Sequence, residues 1–321
     1  MPEIKEDKRS TPQETLTQEG LSDVRELPQQ KSDVWLFEAV KDGQPVFVKG
    51  SVEVSNGVDR IENQVLAQKL LHTELLEQAL KVPDAELVRS NGLSLAIMER
   101  VEGSLLGESR PDGLKEKMSE AELETLVDWL VAARRIPAEK LPEQFREIAD
   151  KVWNQDFYSQ RLEQNAKEPL ALGLLTDQEL QTLQQLWAEN YGLLTFQHHD
   201  IVPFNLMRDQ EQKLWLLDGE FARLGMAGYD SAYFALQSYG LYGDGESAAI
   251  MLEKSLSAWE KNFPEDQLES AILAPLAYRI VASLNDAPTK NNQAVRERTI
   301  FLKDLILSGD VRKLIAGLRS T

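Results

Sequence analysis

The sequence predicts an α+β fold in two lobes, a small antiparallel-sheet N-lobe and a large helical C-lobe. Between residues 33 and 103, several short runs alternate apolar and polar side chains at the strand period. Beyond Gly103 the apolar spacing is almost wholly helical, apart from residues 194–224, which return to short strands and loops. The predicted divisions are a polar tail over residues 1–20, the N-lobe over 21–100 and the C-lobe over 101–321.

Two pairs of runs predict hairpins in the N-lobe. Residues 33–40 and 44–54 are rich in Val, Phe and Trp, and the Asp42-Gly43 dipeptide lies between them. This dipeptide suits a type I′ turn, whose two central residues both need positive φ. Residues 86–103 show a second pair of strands around Asn91-Gly92.

Helical spacing accounts for most of the remaining chain. An N-lobe helix is predicted between the two hairpins, and Val82-Pro83 would end it. Segments with helical spacing follow in the C-lobe. The predicted helices cover residues 58–80, 114–136, 142–166 and 176–191, with several more between 228 and 319.

Composition and charge narrow the classes of function. The chain has 321 residues with 35 basic and 53 acidic side chains, a net charge of -18. Such a surface repels nucleic acid and anionic membranes, so we expect neither as a partner. The absence of cysteine excludes disulfides, thiolate catalysis and cysteine-ligated zinc. The N-terminal segment lacks the apolar core of a signal peptide, and no run reaches the ~18 apolar residues of a membrane span, so we expect a cytoplasmic protein.

One short run concentrates polar residues that suit phosphoryl transfer. The stretch FQHHDIVPFNLMRDQEQKLWLLDGE contains His198, Asp200, Asn205 and Asp218. Phosphoryl transfer needs a group that orients the acceptor hydroxyl and a magnesium ion held against the phosphates. Magnesium prefers hard oxygen ligands and takes one or two carboxylates from the protein. We therefore predict Asp200 as the catalytic group, His198 as a support of the catalytic loop, and Asn205 and Asp218 as magnesium ligands.

The residues after Asp218 extend this pattern into a family resemblance. The stretch DGEFARLGMAGYDSAYF runs into a helix through Tyr229-Asp230. It resembles the aminoglycoside phosphotransferase and choline kinase family, whose pattern is H-G-D, four residues, N, then D-[FW]-E and a later Tyr-Asp. The resemblance implies a protein-kinase-like fold and an ATP- and magnesium-dependent transfer to a small molecule. Two positions depart from the pattern, because His199 replaces the usual glycine and Gly219 replaces the Phe or Trp.

The resemblance also implies a nucleotide-binding lysine. The strand that ends in Val48-Lys49 looks like the ATP lysine strand of the family, and Lys49 would contact the phosphates. Such a lysine needs a carboxylate partner to fix its geometry. Glu62 on the following helix is the predicted partner, ahead of Glu53 and Asp59. Glu220, which matches the family's Glu after D-[FW], is expected to support the site without touching substrate.

The segment ERVEG looks like the hinge between the lobes of this family, and it implies that Glu99 and Val101 bind the nucleotide. The loop before Trp35, ELPQQKSDV, contains no glycine, although backbone phosphate cradles normally use glycine for close approach. This departure keeps a second interpretation open, in which the chain is a catalytically weak or inactive member of the fold that binds a nucleotide or a metabolite.

The acceptor is predicted to be a small molecule, such as an amino sugar, a choline-like compound or a sugar. Only eleven residues separate Asp218 from Asp230, which leaves no room for the long activation segment of protein kinases. Two alternatives remain. One is that the chain is an atypical protein kinase, and the other is that the four polar residues of the motif are unrelated positions in loops. Aromatic and acidic side chains after residue 228 predict a site for a cationic acceptor. The side chains proposed for that site are Tyr229, Tyr233, Phe234, Tyr239, Tyr242, Asp244 and Glu246.

Overall fold

A computed structural model of the chain describes residues 12–28, 34–51, 54–55, 58–90, 92–151, 154–190, 194–260 and 265–321. Within these ranges the predicted fold class is confirmed, since an antiparallel sheet precedes a helical C-lobe. The glycine-free loop lies partly outside the described residues, because residues 29–33 are not among them. No helix in the described ranges combines the length and the apolar character that a membrane crossing requires.

The N-lobe is a five-stranded antiparallel sheet with helix α2 packed against one face. Its elements are α1 (Pro12–Gln18), β1 (Ser22–Glu26), β2 (Val34–Lys41), β3 (Gln44–Ser51), β4 (Val54–Ser55), β5 (Val58–Asp59), α2 (Arg60–Glu74), β6 (Ala85–Ser90) and β7 (Leu93–Glu99). The strand order is β1-β2-β3-β7-β6, and β4 pairs separately with β5. The predicted hairpin between β2 and β3 is confirmed, because Asp42 and Gly43 have φ of 51° and 78°, the sign that a type I′ turn needs.

The prediction of a polar tail is wrong for residues 12–20. This part of the chain contains α1, and the side chain of Leu16 is fully buried. Leu16 packs with Leu21 and Phe37 in an apolar cluster of the sheet. A single leucine among polar residues gives no helical period in the sequence. Its burial becomes visible only when α1 is seen packed against the sheet. Residues 1–11 lie outside the described part of the chain.

Helix α2 ends six residues before its predicted end at residue 80. The chain after it crosses toward the C-lobe and adds to strand pairing there. The N–H of Lys81 donates to the carbonyl of Leu214 at 2.9 Å, and the N–H of Leu216 donates to the carbonyl of Lys81 at 2.8 Å. Hydrogen bonds to a strand far along the chain therefore override the helical spacing of the last leucines.

In the described ranges, the C-lobe contains the remaining helices and five short strands. Its elements are β8 (Gly103–Leu105), α3 (Glu120–Arg134), α4 (Glu143–Lys151), α5 (Gln155–Ala171), α6 (Asp177–Asn190), β9 (Leu194–Gln197), β10 (Leu206–Asp209), β11 (Leu214–Leu216), β12 (Arg223–Met226), α7 (Tyr229–Leu236), α8 (Gly245–Glu260), α9 (Glu265–Asn285), α10 (Ala287–Asn291), α11 (Gln293–Leu307) and α12 (Val311–Arg319). Helix α6 agrees with the predicted helix over residues 176–191.

Two predicted C-lobe helices have different bounds because side-chain caps start them elsewhere. Helix α3 begins at residue 120 instead of 114, where Ser119 and Glu122 form a reciprocal capping box. The predicted helix over residues 142–166 divides into α4 and α5. The side chain of Asn154 accepts the N–H of Phe157 at 3.0 Å and so begins α5 as a new helix.

Two small sheets carry the phosphoryl-transfer motif. Strands β11, β10 and β8 form one antiparallel sheet, and β12 pairs with β9 in the other. The stretch that contains Asp200 and Asn205 joins β9 to β10, and Asp218 follows β11. Residues 99–103 link β7, which ends at Glu99, to β8, which begins at Gly103 beside β10, and their role as the connector between the lobes stays a prediction.

We expect Gly103→Ala to lower the free energy of unfolding by about 1–3 kcal/mol, the usual cost of overpacking. A Cβ at this position would lie 2.2 Å from the backbone oxygen of Arg208, so β8 and β10 would have to separate. Ser104→Ala, an exposed neighbour in the same strand, is the control and should change stability by less than about 0.5 kcal/mol. Urea unfolding measures both, and equal effects would contradict the close approach of the two strands.

Candidate active site

The carboxylate of Asp230 holds the backbone of the catalytic loop. Its Oδ2 accepts the N–H of His198 at 2.7 Å, and its Oδ1 accepts the N–H of His199 at 2.7 Å. Burial raises the pKa of Asp230 to about 7, and the two N–H donors act in the opposite direction. Asp230 therefore braces the loop before Asp200 and not only its own helix α7.

Asp200 and Asn205 are joined to each other within that loop. The Nδ2 of Asn205 donates to Oδ2 of Asp200 at 2.7 Å and to its carbonyl oxygen at 2.9 Å. The amide oxygen of Asn205 is therefore the atom left for another ligand. Burial, followed by the charge of Asp218, raises the pKa of Asp200 to about 7, although the hydrogen bond from Asn205 opposes the shift. A carboxyl group that titrates near neutral pH suits proton transfer from a hydroxyl.

Lys49 connects the N-lobe sheet to the loop after β11. Its Nζ lies 2.9 and 3.0 Å from the two carboxylate oxygens of Asp218 and 2.7 Å from Oε2 of Glu220. Burial acts to lower the pKa of Lys49, but the two carboxylates raise it to about 12. Burial likewise acts to raise the pKa of Asp218, but Lys49 holds it below its ordinary value. The side chain of Asp218 is still 31% exposed, so it can also contact a ligand.

The prediction that Glu62 pairs with Lys49 is wrong in this structure. Glu62 forms an ion pair with Arg89 of β6 at 2.7 Å, and both side chains are partly exposed. Asp59, the lesser candidate, caps α2 by accepting the N–H groups of Ile61 and Glu62. Glu53 lies outside the described residues. The buried partner of Lys49 is instead Glu220. The sequence analysis had expected Glu220 to support the site without touching substrate.

Helix α2 contacts the site through an amide that the sequence analysis missed. The Nδ2 of Asn63 donates to the carbonyls of Glu220 at 2.8 Å and Ala222 at 2.9 Å. The helix approaches so closely that a Cβ at Gly219 would lie 2.9 Å from the Cβ of Ala67. This contact explains why glycine replaces Phe or Trp here. The signal in the sequence was the polar residue Asn63 beside the apolar positions of an amphipathic helix.

His199 fills a space that Gly225 of β12 leaves open. A Cβ on Gly225 would lie 2.0 Å from Nε2 of His199, and the imidazole centroid is 4.3 Å from that of Tyr229. Burial lowers the pKa of His199 well below its ordinary value, and neither ring nitrogen has a hydrogen-bond partner among the described residues. His199 has φ of 66°, a left-handed conformation that glycine adopts more readily. The residue therefore acts as a neutral packing group.

The neighbouring His198 is also buried, and burial lowers its pKa to about 4. Its Nδ1 has no hydrogen-bond partner among the described residues. The loop-supporting contact of His198 is therefore its backbone N–H to Asp230. A direct part of its side chain in catalysis stays a prediction.

The predicted aromatic cage for a cationic acceptor is wrong, because most of its members belong to the hydrophobic core. The exposed fractions of Tyr229, Phe234 and Tyr239 are 5%, 1% and 6%. Asp244 is buried, and its carboxylate accepts the hydroxyl of Ser247 at 2.7 Å. Helical spacing places these rings on one side of the chain, but that side packs against neighbouring helices and does not line an acceptor site.

The remaining nucleotide candidates lie on the connector. Glu99 is exposed at the end of β7, where its N–H donates to the carbonyl of Asp84 at 3.0 Å, and Val101 is partly exposed. Both are accessible on the segment between the lobes. Their contact with a nucleotide stays a prediction.

The ligand set fits magnesium better than zinc. Asn205 and Asp218 offer an amide oxygen and a partly exposed carboxylate, which are hard oxygen ligands. Among the described residues, no cluster of three or more His, Cys, Asp or Glu side chains is suited to hold a metal ion. Two protein ligands suffice for magnesium when nucleotide phosphates and water complete its octahedron.

We expect Glu220→Gln to weaken binding of magnesium and AMP-PNP by roughly tenfold to a hundredfold, because a hydrogen bond to a charged partner contributes about 1.5–3 kcal/mol. The variant leaves Lys49 with a single charged partner. Glu62→Gln is the matched control, and loss of its partly exposed ion pair should change affinity less than about fivefold. Calorimetric titration measures both. A larger effect at Glu62 would show that the helix glutamate holds the lysine once nucleotide is bound.

We expect Gly225→Ala to destabilise the chain only while His199 is present. In the natural background the added Cβ meets the imidazole, and the free energy of unfolding should fall by about 1–3 kcal/mol. In the His199→Gly background the same change should cost less than about 0.5 kcal/mol. A double-mutant cycle by denaturant unfolding measures the coupling. Additive effects would refute the packing role assigned to His199.

The comparisons with known proteins agree with this geometry. A model of the APH family, described as the phosphotransferase enzyme family, matches residues 24–261. The search of curated proteins finds no matching relative.

Solved structures show the same fold at low identity. The chain superposes on aminoglycoside phosphotransferase APH(4)-Ia with a TM-score of 0.56 and 14% identity, covering 92% of this chain and 96% of the other. The GDP and kanamycin complex of APH(2")-IIia gives a TM-score of 0.57 and 15% identity, with coverage of 92% and 97%. Spectinomycin phosphotransferase APH(9)-Ia, solved with ADP and spectinomycin, gives a TM-score of 0.55 and 12% identity, with coverage of 96% and 98%.

The family model spans well over half of the chain, including the lysine strand, the catalytic loop and the residues after Asp218. The predicted resemblance is therefore confirmed, and the chain belongs to the phosphotransferase enzyme family of aminoglycoside phosphotransferases.

Proposed function

We propose that this protein transfers the γ-phosphoryl group of ATP to a hydroxyl of a small molecule. The observation that carries the proposal is one cluster that contains all the required groups. Asn205 is bonded to Asp200, Lys49 is bonded to Asp218, and the charge of Asp218 acts on Asp200. Phosphoryl transfer depends mainly on such positioning and on electrostatic stabilisation. Family membership and the nucleotide-bound relatives support the same reaction.

Each residue of the cluster has a separate task in this reaction. Lys49 binds the nucleotide phosphates. In this structure Asp218 and Glu220 neutralise its charge, and bound phosphates would replace part of that interaction. Asn205 and Asp218 hold magnesium, and that ion, when bound, neutralises charge on the phosphates. Asp200 orients the acceptor hydroxyl and takes its proton. A bond forms between the hydroxyl oxygen and the γ-phosphorus, the bond to the β–γ bridging oxygen breaks, and ADP leaves with that electron pair.

A small acceptor is favoured by the short path from Asp218 to Asp230. Eleven residues separate the two aspartates along the chain, and β12 and the turn before α7 occupy most of them. No peptide-binding activation segment fits in that distance. Amino sugars, choline-like compounds and sugars are the acceptors that the family resemblance suggests, and two of the structurally similar enzymes were solved with kanamycin and spectinomycin.

We expect Asp200→Asn to lower turnover by about 10²–10⁴-fold, the usual contribution of a general base, while affinity for magnesium and AMP-PNP stays within a few-fold. Asp218→Ala should instead weaken binding of the magnesium-nucleotide pair. A screen for ADP formation across hydroxyl compounds supplies the turnover assay, with Asp200→Asn as the blank. Calorimetry with and without magnesium supplies the affinities.

Three outcomes would count against this assignment. Retention of most of the turnover in Asp200→Asn would remove its role as base. Equal nucleotide affinity with and without magnesium would remove the metal ligands. Tight nucleotide binding without turnover of any acceptor would favour the inactive, nucleotide-binding interpretation.

A further inference from the structure

One arginine near Asp200 lacks the partners that a half-buried arginine normally has. Arg279 lies on α9, and its guanidinium carbon is 4.2 Å from the ring centre of Tyr233 on α7. Its Nε is buried without a hydrogen-bond partner among the described residues. None of their carboxylates lies within 4.0 Å of its nitrogens either. A guanidinium carries five N–H donors, and leaving a buried one such as Nε–H unpaired is costly.

Packed aromatic rings place this arginine on the side of the site where the catalytic loop meets α7. The imidazole of His199, the residue before Asp200, is 4.3 Å from the ring of Tyr229. The ring of Tyr229 is 5.9 Å from that of Tyr233, which Arg279 covers. A continuous set of contacts therefore leads from the catalytic loop to the guanidinium.

The charges of Arg279 and Lys49 act on different aspartates of the site. Its charge acts to lower the pKa of Asp200. Lys49 is bonded to Asp218 at 2.9 Å and holds the pKa of that carboxyl low. Arg279 therefore acts on the aspartate that we assign to the acceptor, and Lys49 acts on the aspartate that we assign to the metal.

The other groups that face Arg279 leave its charge only partly compensated. Burial raises the pKa values of Tyr229 and Tyr233, the latter to about 12, so both phenols are neutral. Asp286, between α9 and α10, is the remaining acid, and its side chain makes no cap for α10. A singly charged anion fits this balance. A phosphate dianion fits it less well, since Asp200 and Asp286 would repel its second charge.

We propose that Arg279 binds a carboxylate of the acceptor, which makes the acceptor a hydroxy acid with its hydroxyl at Asp200. A planar guanidinium matches a carboxylate through two parallel hydrogen bonds and so fixes direction as well as position. The inference rests on the proposed function, because it assigns the second substrate of that reaction. It replaces the cationic acceptor that the sequence suggested.

The test compares acceptors that differ only in charge. Purified protein with magnesium and ATP is assayed for ADP formation with glycerate, gluconate and 3-hydroxybutyrate, each beside its primary amide. Glucosamine and choline form a cationic arm, and glycerol 3-phosphate and glucose 6-phosphate form a phosphate arm. We expect at least one acid to exceed its amide in kcat/KM by about tenfold or more, the usual weight of a charged hydrogen bond.

Variants of Arg279 separate binding from a merely structural role. Arg279→Gln should raise KM for the acid about tenfold or more while kcat and KM for the amide change little. Arg279→Lys should restore part of the preference for the acid. Affinity for magnesium and AMP-PNP should stay unchanged in both. Arg134→Gln removes another arginine stacked on a ring, that of Trp259 at 5.1 Å, and should leave the preference for the acid intact.

The outcomes distinguish this inference from the proposed function. Turnover that favours amides, amines or phosphates, with no change of preference in Arg279→Gln, overturns the inference and leaves the phosphotransferase in place. If no acceptor turns over, calorimetry of the same acids in the presence of magnesium and AMP-PNP decides. Binding that Arg279→Gln abolishes supports the inference while the proposed function fails, and no binding of any acid overturns it.

Discussion

The ammonium group of Lys49 is the interaction on which the arrangement of the site depends. It is held at 2.7–3.0 Å by Asp218 and Glu220, and it joins a strand of the N-lobe to a loop of the C-lobe. A buried lysine without carboxylates would lose its charge, and two buried carboxylates without a cation would repel each other. Because each group needs the other, the position of the sheet and that of the loop are set together. Asn63 adds a second link between α2 and the same loop.

Local departures from the family pattern are compensated by residues elsewhere in the chain. His199 takes the place of a glycine, and Gly225 on the neighbouring strand supplies the space for its ring. Gly219 takes the place of a large aromatic residue, and the side chain of Ala67 on α2 lies against it. Interiors are close-packed, so a change of volume at one position requires an opposite change at a contacting one. These exchanges keep the loops that carry Asp200 and Asp218 in position.

Burial and neighbouring charges give the two aspartates of the site different pKa values. Burial raises the pKa of Asp200 to about 7, whereas Lys49 keeps that of Asp218 low. Two aspartates in one cluster therefore suit different tasks, one taking a proton and the other staying charged for a metal. Arg279 adds a positive charge that acts on Asp200, so the proposed acceptor carboxylate and the nucleotide phosphates would each have a cation of their own.

Local patterns in the sequence were enough to predict the order of the elements and the candidate catalytic motif. Alternation, helical spacing and turn residues such as Asp42-Gly43 act over a few residues, and the spacing from Asp200 to Asn205 is fixed within one loop. Which groups meet across the chain could not be predicted in this way, because it depends on the three-dimensional packing. The partner of Lys49, the burial of the tyrosines after residue 228, and the position of Arg279 beside Tyr233 all depend on packing between distant segments. A helical period shows which side chains share a face, but the element packed against that face decides whether they are core or site.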